Sequence, residues 1–155
     1  VLIGIDPGVT GAIAFLRPDL TLVSVEDMPT MLLTGKKQQV NGAALTALLN
    51  KLLQLAPGSG DTTAYLERVS AMPRQGVSSM FNFGTGYGVI QGVLAALHIP
   101  TVLVSPAQWK KRAGLRGKEK DAGRTLAQQL YPEAPLGRKK DIGRADAILI
   151  ARFGK

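Results

Sequence analysis

Val1-Leu-Ile-Gly-Ile-Asp6-Pro-Gly-Val-Thr-Gly11 decides how the rest of the chain is read. Four of its first five residues are apolar, one carboxylate follows, and a glycine-rich turn closes the run. This is the pattern of a buried strand that ends in a sharp corner. Asp6 then stands where a central strand leaves the sheet, the end at which open α/β sheets carry their chemistry. The structural alternative is that Asp6 caps the Pro-Gly turn through its own backbone.

Outward from this strand, Gly11–Leu16 and Thr21–Glu26 are two further apolar runs joined by short links, with Arg17-Pro-Asp19 as a turn signal. Short links predict an antiparallel meander. Residues 28–39, with Pro29, Gly35, Lys36 and Lys37, predict an exposed loop and mobile arm. Asn41–Leu55 predicts a helix, because Leu45, Leu48, Leu49 and Leu52 fall on one stripe and Asn41 suits an N-cap. Thr62–Val69 predicts a fourth strand, parallel to the first because a helix separates them. Residues 72–79 read as irregular. In the glycine-rich stretch 80–97, the apolar Val89–Leu97 predicts a buried helix, and its glycines suit close packing on the sheet or on a second subunit. Ile99–Val104 predicts a fifth strand. Helices follow from Ser105-Pro106, over Lys118–Leu130 and over Gly143–Phe153. No repeat or linker divides residues 1–155, so one domain is expected.

The 155 residues contain no cysteine and one histidine, which excludes a disulfide framework and a cysteine zinc site. His98, beside Pro100 and apart from the acids, reads as structural. No apolar run approaches the roughly 20 residues that cross a bilayer, and no leader pattern is visible, so a cytoplasmic chain without a membrane partner is expected. The start at Val1 suggests an initiator methionine removed or left out. Net charge is +8. Residues 1–109 balance at six basic and six acidic side chains, so residues 110–155, with 13 basic and 5 acidic, carry the whole excess. A charge excess confined to one third of the chain predicts an anion-binding surface, nucleic acid foremost.

Three carboxylates stand in apolar surroundings. Asp6 ends the first strand and Glu67 ends the fourth. A charge in a central strand is costly unless it is paired or binds a cation, and Arg68 or Arg74 is the pairing alternative for Glu67. Asp146 lies in the apolar last helix on the face of Ile150 and Phe153. Asp141, five residues earlier, reaches the same place only from the loop before the helix; otherwise it is an N-cap or a lysine partner. Oxygen donors without Cys or His clusters select Mg²⁺, with Mn²⁺ as substitute, over Zn²⁺. Paired ions beside a basic surface point to phosphodiester hydrolysis.

In order along the chain, Ile-Gly-Ile-Asp6-Pro-Gly-Val-Thr-Gly, Leu-Glu67-Arg-Val and Ala-Asp146-Ala-Ile resemble the three motifs of the RuvC family of Holliday junction resolvases. That family belongs to the RNase H-like superfamily. Met-Pro-Arg-Gln-Gly-Val-Ser-Ser-Met-Phe and Lys-Lys-Asp-Ile-Gly-Arg-Ala-Asp resemble its phage and prophage branch. The resemblance implies an α/β RNase H-like fold, with a mixed five-stranded sheet of three antiparallel and two parallel strands flanked by helices. It implies a homodimeric, junction-cutting endonuclease making paired symmetric nicks, with no small-molecule cofactor. Asp6 would bridge two Mg²⁺ ions held also by Glu67 and Asp146.

Two positions depart from the family pattern. An acid or histidine three residues before the last Asp is replaced by Gly143, with Asp141 as the candidate fourth ligand. A junction-centre phenylalanine three residues after the second acid is replaced by Ser70, leaving Met72, Phe81 or Phe83 as wedge. Lys118 and Lys120 are candidates for the scissile phosphate, Lys118 as a catalytic group. Lys110, Lys111, Arg112, Arg116, Lys139, Lys140 and Arg74 are candidates for flanking DNA backbone. Three other readings stay open. One is a nuclease for RNA–DNA hybrids or flaps, and another is a junction binder with a decayed site. The third is an actin or sugar-kinase type ATPase, which normally needs two lobes.

Overall fold

The computed structural model describes residues 1–55, 61–70 and 76–155. Seven strands and five helices follow one another along them: β1 (Leu2–Asp6), β2 (Ala12–Leu16), β3 (Leu22–Asp27), β4 (Thr30–Leu32), β5 (Gln38–Val40), α1 (Gly42–Gln54), β6 (Thr63–Glu67), α2 (Val77–Ala96), β7 (Thr101–Val104), α3 (Pro106–Arg112), α4 (Ala122–Leu130) and α5 (Ile142–Phe153). The main sheet has the order β3-β2-β1-β6-β7. β1 pairs antiparallel with β2, and β2 with β3, while β1–β6 and β6–β7 are parallel. The expected mixed sheet of three antiparallel and two parallel strands is therefore present.

Alternation along the strands divides the interior into two cores. On β1, Ile3 and Ile5 point to one side, with Ile13, Phe15, Ala64 and Leu66. Leu45 and Leu49 of α1 and Ile90 and Leu94 of α2 cover that side. Leu2 points to the other side, with Ala12, Ala14, Leu16 and Tyr65, under α5. Gly4 lies on this second side, where α5 comes so close that a Cβ at residue 4 would stand 2.0 Å from the Ala147 carbonyl oxygen. Glycine in β1 and alanines in α5 thus allow the last helix to lie directly on the central strand. By the same parity, Asp6 and Glu67 both project toward α5.

Three elements differ from the sequence reading. The expected loop over 28–39 contains a small antiparallel hairpin, β4–β5. It is tied to α2 by Lys37 Nζ donating to Ser78 Oγ at 2.7 Å and by Asn82 Nδ2 donating to the Gln38 carbonyl at 3.0 Å. Helix α2 starts at Val77, twelve residues before the apolar run that predicted it. Its glycines lower intrinsic propensity but Gly86 packs against Val40, and tertiary contact outweighs the local cost. Helix α4 starts at Ala122, so Lys118 and Lys120 lie in the turn before it. Among the described residues no helix is long and apolar enough to cross a membrane.

Candidate active site

The parallel register sets the first two acids. Ile5 of β1 lies opposite Leu66 of β6, so the next pair along is Asp6 and Glu67, on one face at one end of the sheet. Asp146 comes to the same place from α5. Its Oδ1 faces Gly123 of α4, and Gly143, one turn earlier on α5, faces Asp6 Oδ2.

The electrostatics show that the three carboxylates share one site. Burial, then the charges of Asp146 and Glu67, hold the Asp6 carboxyl well above the usual carboxylate range. Burial pushes Asp146 up to about 6; Lys110 opposes the shift and Glu67 adds to it. Burial raises Glu67 as well, against a hydrogen bond from Trp109 and the charge of Lys110. Glu67 raises both other acids and Asp146 raises Asp6, so the three form a set that a cation would relieve. Among the described residues no three acidic or histidine side chains form a ready-made cation cage. The donor chemistry fits hard divalent ions, with the acids converging on one end of the sheet rather than clasping one point.

Lys110 is the cation common to all three acids. Its ammonium lies 5.2 Å from the centre of the Trp109 ring. Lys120 also acts on Asp146. A cleft of about 150 Å³ beside them is lined by Trp109, Lys110, Lys118, Lys120, Gly123 and Asp146. Lys118 lines this cleft, and Lys110, assigned from sequence to flanking backbone, takes the more central place beside the acids. The signal was in the sequence: Lys110 follows the lone tryptophan on a helix with a strong N-cap. A cavity of about 320 Å³ borders the β1–β2 turn, lined by Gly8, Val9, Lys37, Asn82 and Phe83 among others.

Asp141 is a correction. It lies in a 3₁₀ turn, Lys139–Asp141, ahead of α5 and is bound on both oxygens by Arg138. The 2.7 Å guanidinium contact and the backbone N–H of Arg138 hold its carboxyl below the usual range. It closes the entry to α5 instead of joining Asp146. Nor can residue 143 supply the missing group. A Cβ there would stand 2.5 Å from the Thr10 carbonyl oxygen and 3.2 Å from Asp6 Oδ2.

The basic side chains fall into two groups. Arg112 donates to the Phe153 and Gly154 carbonyls at the end of α5. Arg124 binds Asp121, Arg138 binds Asp141, and Arg144 binds Asp27. Lys110, Lys111, Arg116, Lys118, Lys120, Lys139 and Lys140 are exposed and form no ion pair among the described residues. Arg74 and Met72 lie outside the described residues. His98, in the left-handed region just after α2, is far from the acids in sequence and lines a separate depression with Pro100 and Leu53.

A mixed sheet with acids at the ends of its adjacent parallel strands, and a third acid on the helix across them, is an RNase H-like fold. No family model matches the chain. A Holliday junction resolvase of Chlamydomonas reinhardtii, chloroplastic MOC1, is 32% identical over 150 residues, covering 84% of this chain. The chain spans 17% of that relative's length. Thermus thermophilus RuvC in complex with a Holliday junction substrate superposes with a TM-score of 0.64 at 16% identity, over 96% of this chain and 88% of that one. A second T. thermophilus RuvC structure gives 0.58 at 15% identity, over 98% and 95%. The chain therefore has the fold of these RuvC structures.

Proposed function

We propose that this chain is a divalent-metal-dependent endonuclease that cuts branched DNA, four-way junctions above all. The observation that carries the reading is the meeting of Asp6, Glu67 and Asp146 at one end of the sheet, facing Lys110 and Lys120. The resolvase named among its relatives and the RuvC complex with a junction support the substrate.

Asp6, Glu67 and Asp146 would hold the ions, Mg²⁺ or Mn²⁺, with Asp6 central between the other two. Bound ions of this kind supply hydroxide from water and charge at the leaving oxygen. The chain supplies the rest. Lys110 and Lys120 offset the acids' charge and face the place where negative charge grows on the phosphate. Lys111, Arg116 and Lys118 line or border the cleft and hold the flanking backbone without reading sequence.

Paired symmetric nicks need two such sites, hence a homodimer. The open face of α2 suits that contact. Gly84, Gly88 and Gly92 follow at four-residue steps, all exposed, with nothing within 4 Å of a Cβ built at any of them. Phe81, 78% exposed on the same face, is the better wedge of the two described candidates, since Phe83 is turned in against Gly8. One observation favours a second reading, a junction binder with a decayed site: Gly143 and the paired Asp141 leave three acids where many relatives use four.

The test is cleavage of a synthetic four-way junction beside duplex, flap and RNA–DNA hybrid, with Mg²⁺, Mn²⁺ or chelator. Paired nicks on the junction, lost with chelator, are expected. Junction binding without cutting in either metal selects the decayed site, and preference for the hybrid or flap overturns the substrate.

A further inference from the structure

Trp109 is the largest fully buried side chain and the only tryptophan of the chain. Its Nε1–H donates to Glu67 Oε2 at 2.6 Å, a short charge-assisted bond between α3 and the end of β6. No other hydrogen bond to the Glu67 carboxylate is made among the described residues. The helix that carries the indole is itself fixed at its start. Ser105 Oγ accepts from the Gln108 backbone N–H, the Gln108 side chain accepts from the Ser105 N–H, and Pro106 occupies the first helical position.

We infer that Trp109 is a positioning residue of the acidic centre, anchoring Glu67 by one oxygen so that the other is aimed at the cation. This rests on the reading of Glu67 as a ligand. A glutamate has three rotatable bonds and, half-buried beside two other acids, would swing toward solvent if nothing held it. The indole has one donor and no acceptor, and buried it must find a partner. Each group therefore commits the other. The ring also lies under Lys110 at cation–π distance, so the same side chain steadies a ligand and the charge that faces it.

A lone tryptophan bonded to a ligand should report the cation. Titration of the intact chain with Mg²⁺ should change its tryptophan emission saturably, and Asp6→Asn should remove the change. Calorimetric Mn²⁺ isotherms then test the anchor. Trp109→Phe keeps a buried ring without the N–H and should weaken Mn²⁺ binding about tenfold or more, the range for groups that orient metal ligands. Glu67→Gln should weaken it at least as much, and the double variant should lose no more than Glu67→Gln alone. Additive losses, or unchanged Mn²⁺ affinity in a folded Trp109→Phe, would overturn the anchor and leave the nuclease reading standing. If Trp109→Phe does not fold, the wild-type emission decides, and silence during Mg²⁺ binding measured independently overturns the inference. Absence of any cation binding by the wild-type chain would instead remove the metal reading from which the inference starts.

Discussion

The two faces of the central sheet are written in the same alternation but do different work. Toward α1 and α2, β1, β2 and β6 show Ile3, Ile5, Ile13, Phe15 and Leu66, all fully buried. Toward α5, the same strands show Leu2, Leu16 and Tyr65, but also the small Gly4, Ala12 and Ala14 and the charged Asp6 and Glu67. The first face is apolar along its whole length, a source of stability. The second is apolar over most of its length but gives up bulk at Gly4, where α5 comes close, and carries acids at one end. One period-2 pattern thus yields a stabilising face and a chemical face, and the helix laid on each decides which is which.

The largest expected effect that would break this division is Asp6→Asn. Cleavage should fall about a thousandfold or more, the scale of losing a central electrostatic group, while junction binding and folding persist. A variant that cuts at the wild-type rate would place the chemistry elsewhere. Leu49→Ala, on the opposite face, should cost about 2–5 kcal/mol of stability for a fully buried leucine. Cleavage per folded molecule should stay unchanged, checked by denaturant melts beside the nuclease assay.

The acids make the chemical face sensitive to pH. Asp146 holds its proton to about pH 6 in the folded chain, against an ordinary 3.8. Below the ordinary value both states are protonated and nothing is lost. Between these two values the unfolded chain ionises first, so stability falls as pH rises, by up to about 3 kcal/mol once the folded pKa is passed. Asp6 and Glu67, also raised, act in the same direction. Thermal melts in chelator should show higher stability at pH 5 than at pH 8, with Asp146→Asn reducing the difference. A flat profile would mean the three carboxylates are not buried as described.

The smallest expected effect sharpens the comparison at its tightest point. Gly143→Ala places a methyl against the Thr10 carbonyl and Asp6 Oδ2. It should cost about 1–3 kcal/mol, the scale of overpacking, while the matching change at open Gly88 should cost the fold nothing. If Gly143→Ala melts like wild type, α5 does not sit as close to the β1–β2 turn as described.

The sequence by itself determined the five main strands, the N-cap of α1, the three acids in apolar surroundings and the concentration of positive charge after residue 109. Those features are local: alternation, spacing and turn chemistry are legible one segment at a time. Only the tertiary structure decided which cations meet which anions. Arg138 claims Asp141 within one local turn, while Arg112 ties down the end of α5 and Lys110 stands at the acids because α3, α5 and β6 pack together across 42 residues of chain. The start of α2 was hidden for the same reason. A helix of glycines has little propensity to announce it, and the hairpin that holds its first turns lies about forty residues away.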